Sequence, residues 1–185
     1  MRTTVFIFLL AAISCTNTPE PVSNVVTHYD SIAIPVTDTS LPVSVTSSLA
    51  HFLPGWIVCT EHDYAGSFWS FYDSNTKPYL AATDINDDGK TDFALFVKKH
   101  DSTQLVFLTS KENSFELHTI PESAKPFHQD LHYCLIPEPP GQVDVARPTI
   151  QSLILTSNGI NLMDMENRKC IYYWHQDSIA VFKTM

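Results

Sequence analysis

The sequence predicts a mainly β fold, an antiparallel meander or sandwich, and three observations carry that expectation. Short runs of β-branched and aromatic residues recur at roughly 8–12-residue spacing with turn residues between them. No stretch of ten or more residues shows a sustained 3.6-residue apolar period. Asn158-Gly159 separates two apolar runs and is the strongest hairpin signal, because both central residues of such a turn need positive φ.

Taken in order, the predicted strands are residues 56–61, 67–72, 93–99, 104–110, 114–120, 131–136, 152–156, 160–165 and 170–174. His100-Asp101-Ser102-Thr103 and His175-Gln176-Asp177-Ser178 are further hairpin candidates. A short helical turn is expected at Ser48–Leu53, stopped by Pro54-Gly55.

Composition sets the outer bounds. Of the 185 residues, 44% are hydrophobic and 17% charged, which suits a globular chain and neither a disordered chain nor a coiled coil. Acidic residues outnumber basic ones 20 to 11, and the net charge of −9 argues against a nucleic-acid partner. Only five glycines occur, and G-x-S-x-G, H-E-x-x-H and phosphate-loop patterns are absent from the sequence.

Residues 1–15, MRTTVFIFLLAAISC, read as an export signal: one charge at Arg2, then an apolar run from Val5 to Ile13. As a helix that run would span only ~14 Å, against about 30 Å of membrane hydrocarbon. Ala12-Ile13-Ser14-Cys15 resembles the lipobox of bacterial lipoproteins, with Ala12 standing where Leu is favoured. The resemblance implies cleavage before Cys15 and lipidation of that residue, hence a membrane partner through the anchor. Thr16, rather than Asp, after the Cys points to the outer membrane. The expected organisation is therefore a signal peptide at 1–14, a flexible Thr/Ser/Pro-rich tether at 15–48 with a reach of ~30 Å, and one β-rich domain at 49–185. Val25–Val36 holds β-formers that would suit an edge strand.

One segment carries metal chemistry. Residues 84–92 read Asp84-Ile85-Asn86-Asp87-Asp88-Gly89-Lys90-Thr91-Asp92, the pattern D-x-N-x-D-G-x-x-D. Calcium takes six to eight hard oxygens in a flexible shell, and oxygens at alternate positions of a tight loop wrap around one point. Gly89 permits the sharp turn, and Lys90 offers its backbone carbonyl. An EF-hand would place Glu at the twelfth position, where Leu95 stands, and 93–97 reads as a buried strand instead of a helix. A loop of this pattern feeding a strand resembles the FG-GAP or VCBS-type repeat over about 20 residues, Tyr79–Lys98. That resemblance implies Ca²⁺ bound by Asp84, Asn86, Asp88, Asp92 and the Lys90 carbonyl, on a propeller-blade-like sheet. The sequence holds one such loop and not the seven of a complete propeller, so that family's ligand recognition is not expected here. The C-terminal run from Asn158 to Trp174 is also similar to the ending of small bacterial lipoproteins carrying a single such loop, a likeness that brings no activity with it.

Weaker constellations have ordinary structural readings. As a strand, 127–134 would put His128, Asp130, His132 and Cys134 on one face, a zinc-type set, although a half-buried strand with a polar side explains the same pattern. Cys59-Thr60-Glu61-His62-Asp63 is similar. Cys59, Cys134 and Cys170 allow one disulfide in any of three pairings, among which the sequence does not choose; Cys134–Cys170 is one of them, both residues lying in predicted C-terminal strands. The aromatic groups 68–72 and 172–174 would suit a sugar or protein partner, or a core. The function expected is that of a non-catalytic, calcium-stabilised binding or accessory module of the cell envelope, its partner an envelope protein or glycan. The alternatives are a carboxylate-based glycan hydrolase and an inhibitor or chaperone-like protein.

Overall fold

The computed structural model describes residues 41–120, 125–126, 131–146 and 150–184, and these form one compact unit. The predicted signal, Cys15, most of the tether and Val25–Val36 lie outside the described residues.

The fold is mainly antiparallel β, in stacked layers. The outermost layer on one side is α1 (Val43–Phe52). Leu41, Val45, Leu49 and Leu53 recur every four residues and form its apolar stripe, and all four pack in one cluster. The helix stops where Pro54 cannot continue it and Gly55 takes φ +81°. Its ten residues exceed the single turn expected at 48–53, and it begins inside the predicted tether. The β-branched residues Val43, Val45 and Thr46 mask the helix locally, and packing of its stripe overrides that propensity.

The next layer is a six-stranded sheet. Its middle is β3 (Asp92–Lys99) paired with β4 (Ser102–Lys111). Along the free edge of β3 run β1 (Ile57–Val58) and β2 (Leu80–Thr83). Along that of β4 run β5 (Ser114–Thr119) and β6 (Lys125–Pro126). Both faces of the central pair are covered. Phe93, Leu95, Val97, Val106 and Leu108 meet α1, while Ala94, Phe96, Leu105 and Phe107 meet the second sheet.

That second sheet has the order β12-β11-β10-β7: β7 (Tyr133–Glu138), β10 (Gly159–Asp164), β11 (Asn167–His175) and β12 (Ser178–Lys183), all antiparallel. Leu135, Ile160, Cys170 and Tyr172 face the first sheet. Ile171, Tyr173 and Phe182 face the other way, onto the hairpin of β8 (Gly141–Val145) and β9 (Gln151–Leu155) through Val143, Leu153 and Leu155.

Three expectations are corrected. Residues 67–72 do not form a strand: Phe68–Ser70 is a 3₁₀ turn whose Phe68 is fully buried and stacks on Tyr72 with ring centroids 4.5 Å apart. Asn158-Gly159 is not a hairpin turn, since β9 pairs with β8 while β10 pairs with β7 and β11. Gly159 instead lies where a Cβ would stand 2.9 Å from the Tyr172 carbonyl oxygen, so close backbone approach explains the glycine. No disulfide joins Cys134 and Cys170: those two, and Cys59, are buried free thiols. Cys134 sits on β7 opposite Met163 of β10, and Cys170 on β11 opposite Leu162. One strand therefore separates them, and two strand spacings of ~4.8 Å exceed disulfide reach. The turn at 175–178 is as expected, with Gln176 at φ +50° and Asp177 at +58°.

Candidate calcium loop

The nine residues from Asp84 to the first residue of β3 connect β2 to β3. Asp87 at φ +60° and Gly89 at φ +80° reverse the chain, and Asp is among the few L-residues that tolerate this region. The loop then closes on its own amides. Asp84 Oδ1 accepts the N–H of Asp88 at 3.1 Å, and its Oδ2 that of Gly89 at 2.8 Å. Asn86 Oδ1 accepts the N–H of Asp88 at 3.2 Å, and Asp88 Oδ1 that of Lys90 at 2.9 Å.

Asp92 closes the loop. It is fully buried, and its Oδ2 accepts the N–H groups of Ile85 (2.8 Å) and Asn86 (3.3 Å). Its Oδ1 accepts the N–H of Ser110, on β4, at 2.7 Å. Burial raises this carboxyl above the usual aspartate range, and the three amide donors oppose the rise without cancelling it. Asp88 is shifted the other way: the Ser110 hydroxyl donates to its Oδ2 at 2.6 Å and is the main cause of its lowered pKa, helped by the Lys90 amide and charge. The Lys90 ammonium makes its hydrogen bond to the Glu112 carbonyl, 2.9 Å away.

All five residues read from the sequence thus sit in one loop. Their oxygens are hard and of the type calcium takes, and a carboxylate oxygen that accepts one N–H keeps a second lone pair. The donor set fits Ca²⁺ in chemistry. Among the described residues, however, no three His, Cys, Asp or Glu side chains form a metal-ligating group. The carboxylates are directed to backbone amides and, at Asp88 Oδ2, to the Ser110 hydroxyl.

Two residues outside the motif hold the loop and were not foreseen. Ser110 binds both Asp88 and Asp92. Asn158 donates its side-chain amide to the Asp84 carbonyl at 3.0 Å across 74 residues of sequence. Nothing local marks Ser110, and Asn158 was read as part of a turn.

The other constellations have ordinary structural settings where they are described. His128 and Asp130 lie outside the described residues. His132 is 3.7 Å from Asp164, and the Cys134 thiol is pushed up to about 12 by burial in the core. Near Cys59, Asp63 caps the N–H of Thr60 and pairs with Lys98. Of the aromatic run at 68–72, Phe68 is core and Phe71 is the exposed member, at 53%. No protein-family model, curated protein or solved structure matches the chain.

Proposed function

We propose that this chain is an exported, lipid-anchored β domain whose 84–92 loop takes a structural Ca²⁺, and that it serves as a non-catalytic binding or accessory module of the cell envelope. The observation that carries the calcium reading is Asp92: a buried carboxylate whose hydrogen-bond donors are all neutral, in a loop with three more carboxylates, Asp84, Asp87 and Asp88, whose one lysine bonds elsewhere. A divalent cation would offset that repulsion. Asp84, Asn86, Asp88, Asp92 and the Lys90 carbonyl would hold it. The likeness to FG-GAP and VCBS-type loops supports the same metal, and the lipobox-like 12–15 segment supports the anchor at Cys15.

Calcium that binds only the folded loop adds RT ln(1 + [Ca²⁺]/Kd) to stability, about 1.4 kcal/mol at ten times Kd. For a domain of this size that is about 5 °C in the melting midpoint. Thermal melts in calcium and in chelator should differ by this amount, with Asp88→Asn removing the difference. Equal midpoints in the two buffers would overturn the calcium reading. Radiolabelled fatty acid incorporated by the wild-type chain and lost in Cys15→Ser tests the anchor separately.

A further inference from the structure

We infer that Ser110, on β4, is a positioning residue of the calcium loop, and that its hydroxyl sets the loop's affinity for Ca²⁺ by holding Asp88 in place. The inference rests on the calcium reading and extends it to a residue outside the motif.

Lone pairs decide which oxygens a cation can use. Each carboxylate oxygen accepts up to two hydrogen bonds. Asp92 Oδ2 accepts two, from the N–H groups of Ile85 and Asn86, and is filled. Asp92 Oδ1 accepts one, from the Ser110 N–H at 2.7 Å, and keeps a lone pair. Asp88 Oδ1 accepts the Lys90 N–H, and its Oδ2 the Ser110 hydroxyl at 2.6 Å. The oxygen of Asp92 left for a cation is therefore the one that Ser110 holds. Ser110 holds an oxygen of Asp88 as well, so one residue of β4 ties together the fifth and ninth positions of the motif.

The donors differ in kind. Asp84, Asn86 and Asp88 Oδ1 take N–H groups of the loop itself, which any sequence would supply at those points. The Ser110 hydroxyl is a side chain, comes from another strand, and reaches the loop across 22 residues of sequence.

Its setting suits a positioning role. Asp92 is fully buried and has three amide donors, so its carboxyl is already fixed. Asp88 is exposed. An exposed aspartate samples several rotamers, and ordering it at the moment of binding lowers affinity. The Ser110 hydroxyl orders it beforehand. Ser110 is itself held, half-buried on a ten-residue strand and opposite Phe115 of β5. The loop is pinned to the same hairpin a second time, by the Lys90 ammonium on the Glu112 carbonyl. Being neutral, the hydroxyl fixes Asp88 without cancelling its charge, which is left for the cation. Loss of a group that orients a metal ligand costs about 10–100-fold in metal affinity.

Calorimetric titration of calcium chloride into the full-length chain, in detergent and well below its melting midpoint, tests this. Ser110→Ala removes the hydroxyl and keeps the N–H that Asp92 accepts. Its Kd for Ca²⁺ should rise about tenfold or more, while its melting midpoint in chelator stays close to the wild-type value. Ser110→Thr, which keeps a hydroxyl, should restore the wild-type Kd. Ser110→Val, with the shape of Thr and no hydroxyl, should not. A structural role alone would lower the midpoint in chelator and leave the Kd of the folded chain where it was, and that result overturns the inference. So does a Ser110→Val chain that binds as tightly as Ser110→Thr. Both of these results leave the calcium reading standing. A wild-type chain that takes up no Ca²⁺ overturns the calcium reading, and this inference with it.

Discussion

The β3–β4 pair and the β8–β9 hairpin are both antiparallel ribbons joined by a short connection, yet they occupy opposite extremes of the fold. The first is covered on both faces, by α1 on one side and the second sheet on the other. The second is covered on one face, by Ile171, Tyr173 and Phe182. The sequences record this difference. Phe93–Val97 and Leu105–Leu108 are continuous apolar runs, as a strand buried on both faces requires. Gln142, Val143, Asp144 and Val145 alternate, as a half-covered strand does. β9 departs from that alternation at Ile154, where a polar side chain would be ordinary. What it teaches is that periodicity reports how many faces are covered, and a break in periodicity marks a face that the described residues leave uncovered.

Substitution can sharpen this contrast. Phe107, fully buried between the sheets and 5.2 Å from the Tyr172 ring, should cost about 3–5 kcal/mol when changed to Ala, by urea denaturation. Gly159→Ala comes next. The added methyl meets the Tyr172 carbonyl at 2.9 Å and the Ile171 Cγ2 at 3.0 Å, and the backbone oxygen cannot rotate away. A loss of about 1–3 kcal/mol is expected; a neutral result would show that β10 and β11 can part at this point.

A smaller effect should follow pH. His118, on β5, shares a hydrogen bond with Thr109 at 2.8 Å and packs its ring against Trp174. Burial, the largest influence, lowers its pKa below the ordinary 6.5. The unfolded chain therefore takes up the proton first. Stability from this group is complete above about pH 6.5 and declines as pH falls through the lower folded-state value. Denaturation midpoints at pH 7.5 and 5 should show the decline, and His118→Gln should flatten it. The smallest change is expected at Ile154→Ser, within about 0.5 kcal/mol, because the side chain is already in water.

Much of the fold was legible in sequence, for stated reasons. The strands at 93–99, 104–110, 114–120, 160–165 and 170–174 carry β-branched and aromatic residues in runs that no helix would place well, and each lies within a strand of the structure apart from end residues. β2, β8 and β12 were missed because Leu80-Ala81-Ala82-Thr83, Gly141–Val145 and Ser178–Lys183 are short or mixed and gain their state from a neighbouring strand. The aromatic run at 67–72 misled for the opposite reason: aromatic residues favour strands, but here Phe68 is needed in the core at a point where the chain turns. The candidate site was legible as a loop, since Asp, Asn and Gly at fixed spacing define a local turn. Its supports were not, because Ser110 and Asn158 reach it through tertiary structure.

Those supports decide how far the loop can be taken out of its setting. Its first residue is fastened to the start of β10 by Asn158, and its last to β4 by the Ser110 amide. Grafted onto another hairpin, the nine residues would lose both fastenings, and an excised peptide spanning Tyr79–Lys98 would hold neither end at its native separation. The shape of the loop is thus a property of two distant strands as much as of the residues within it.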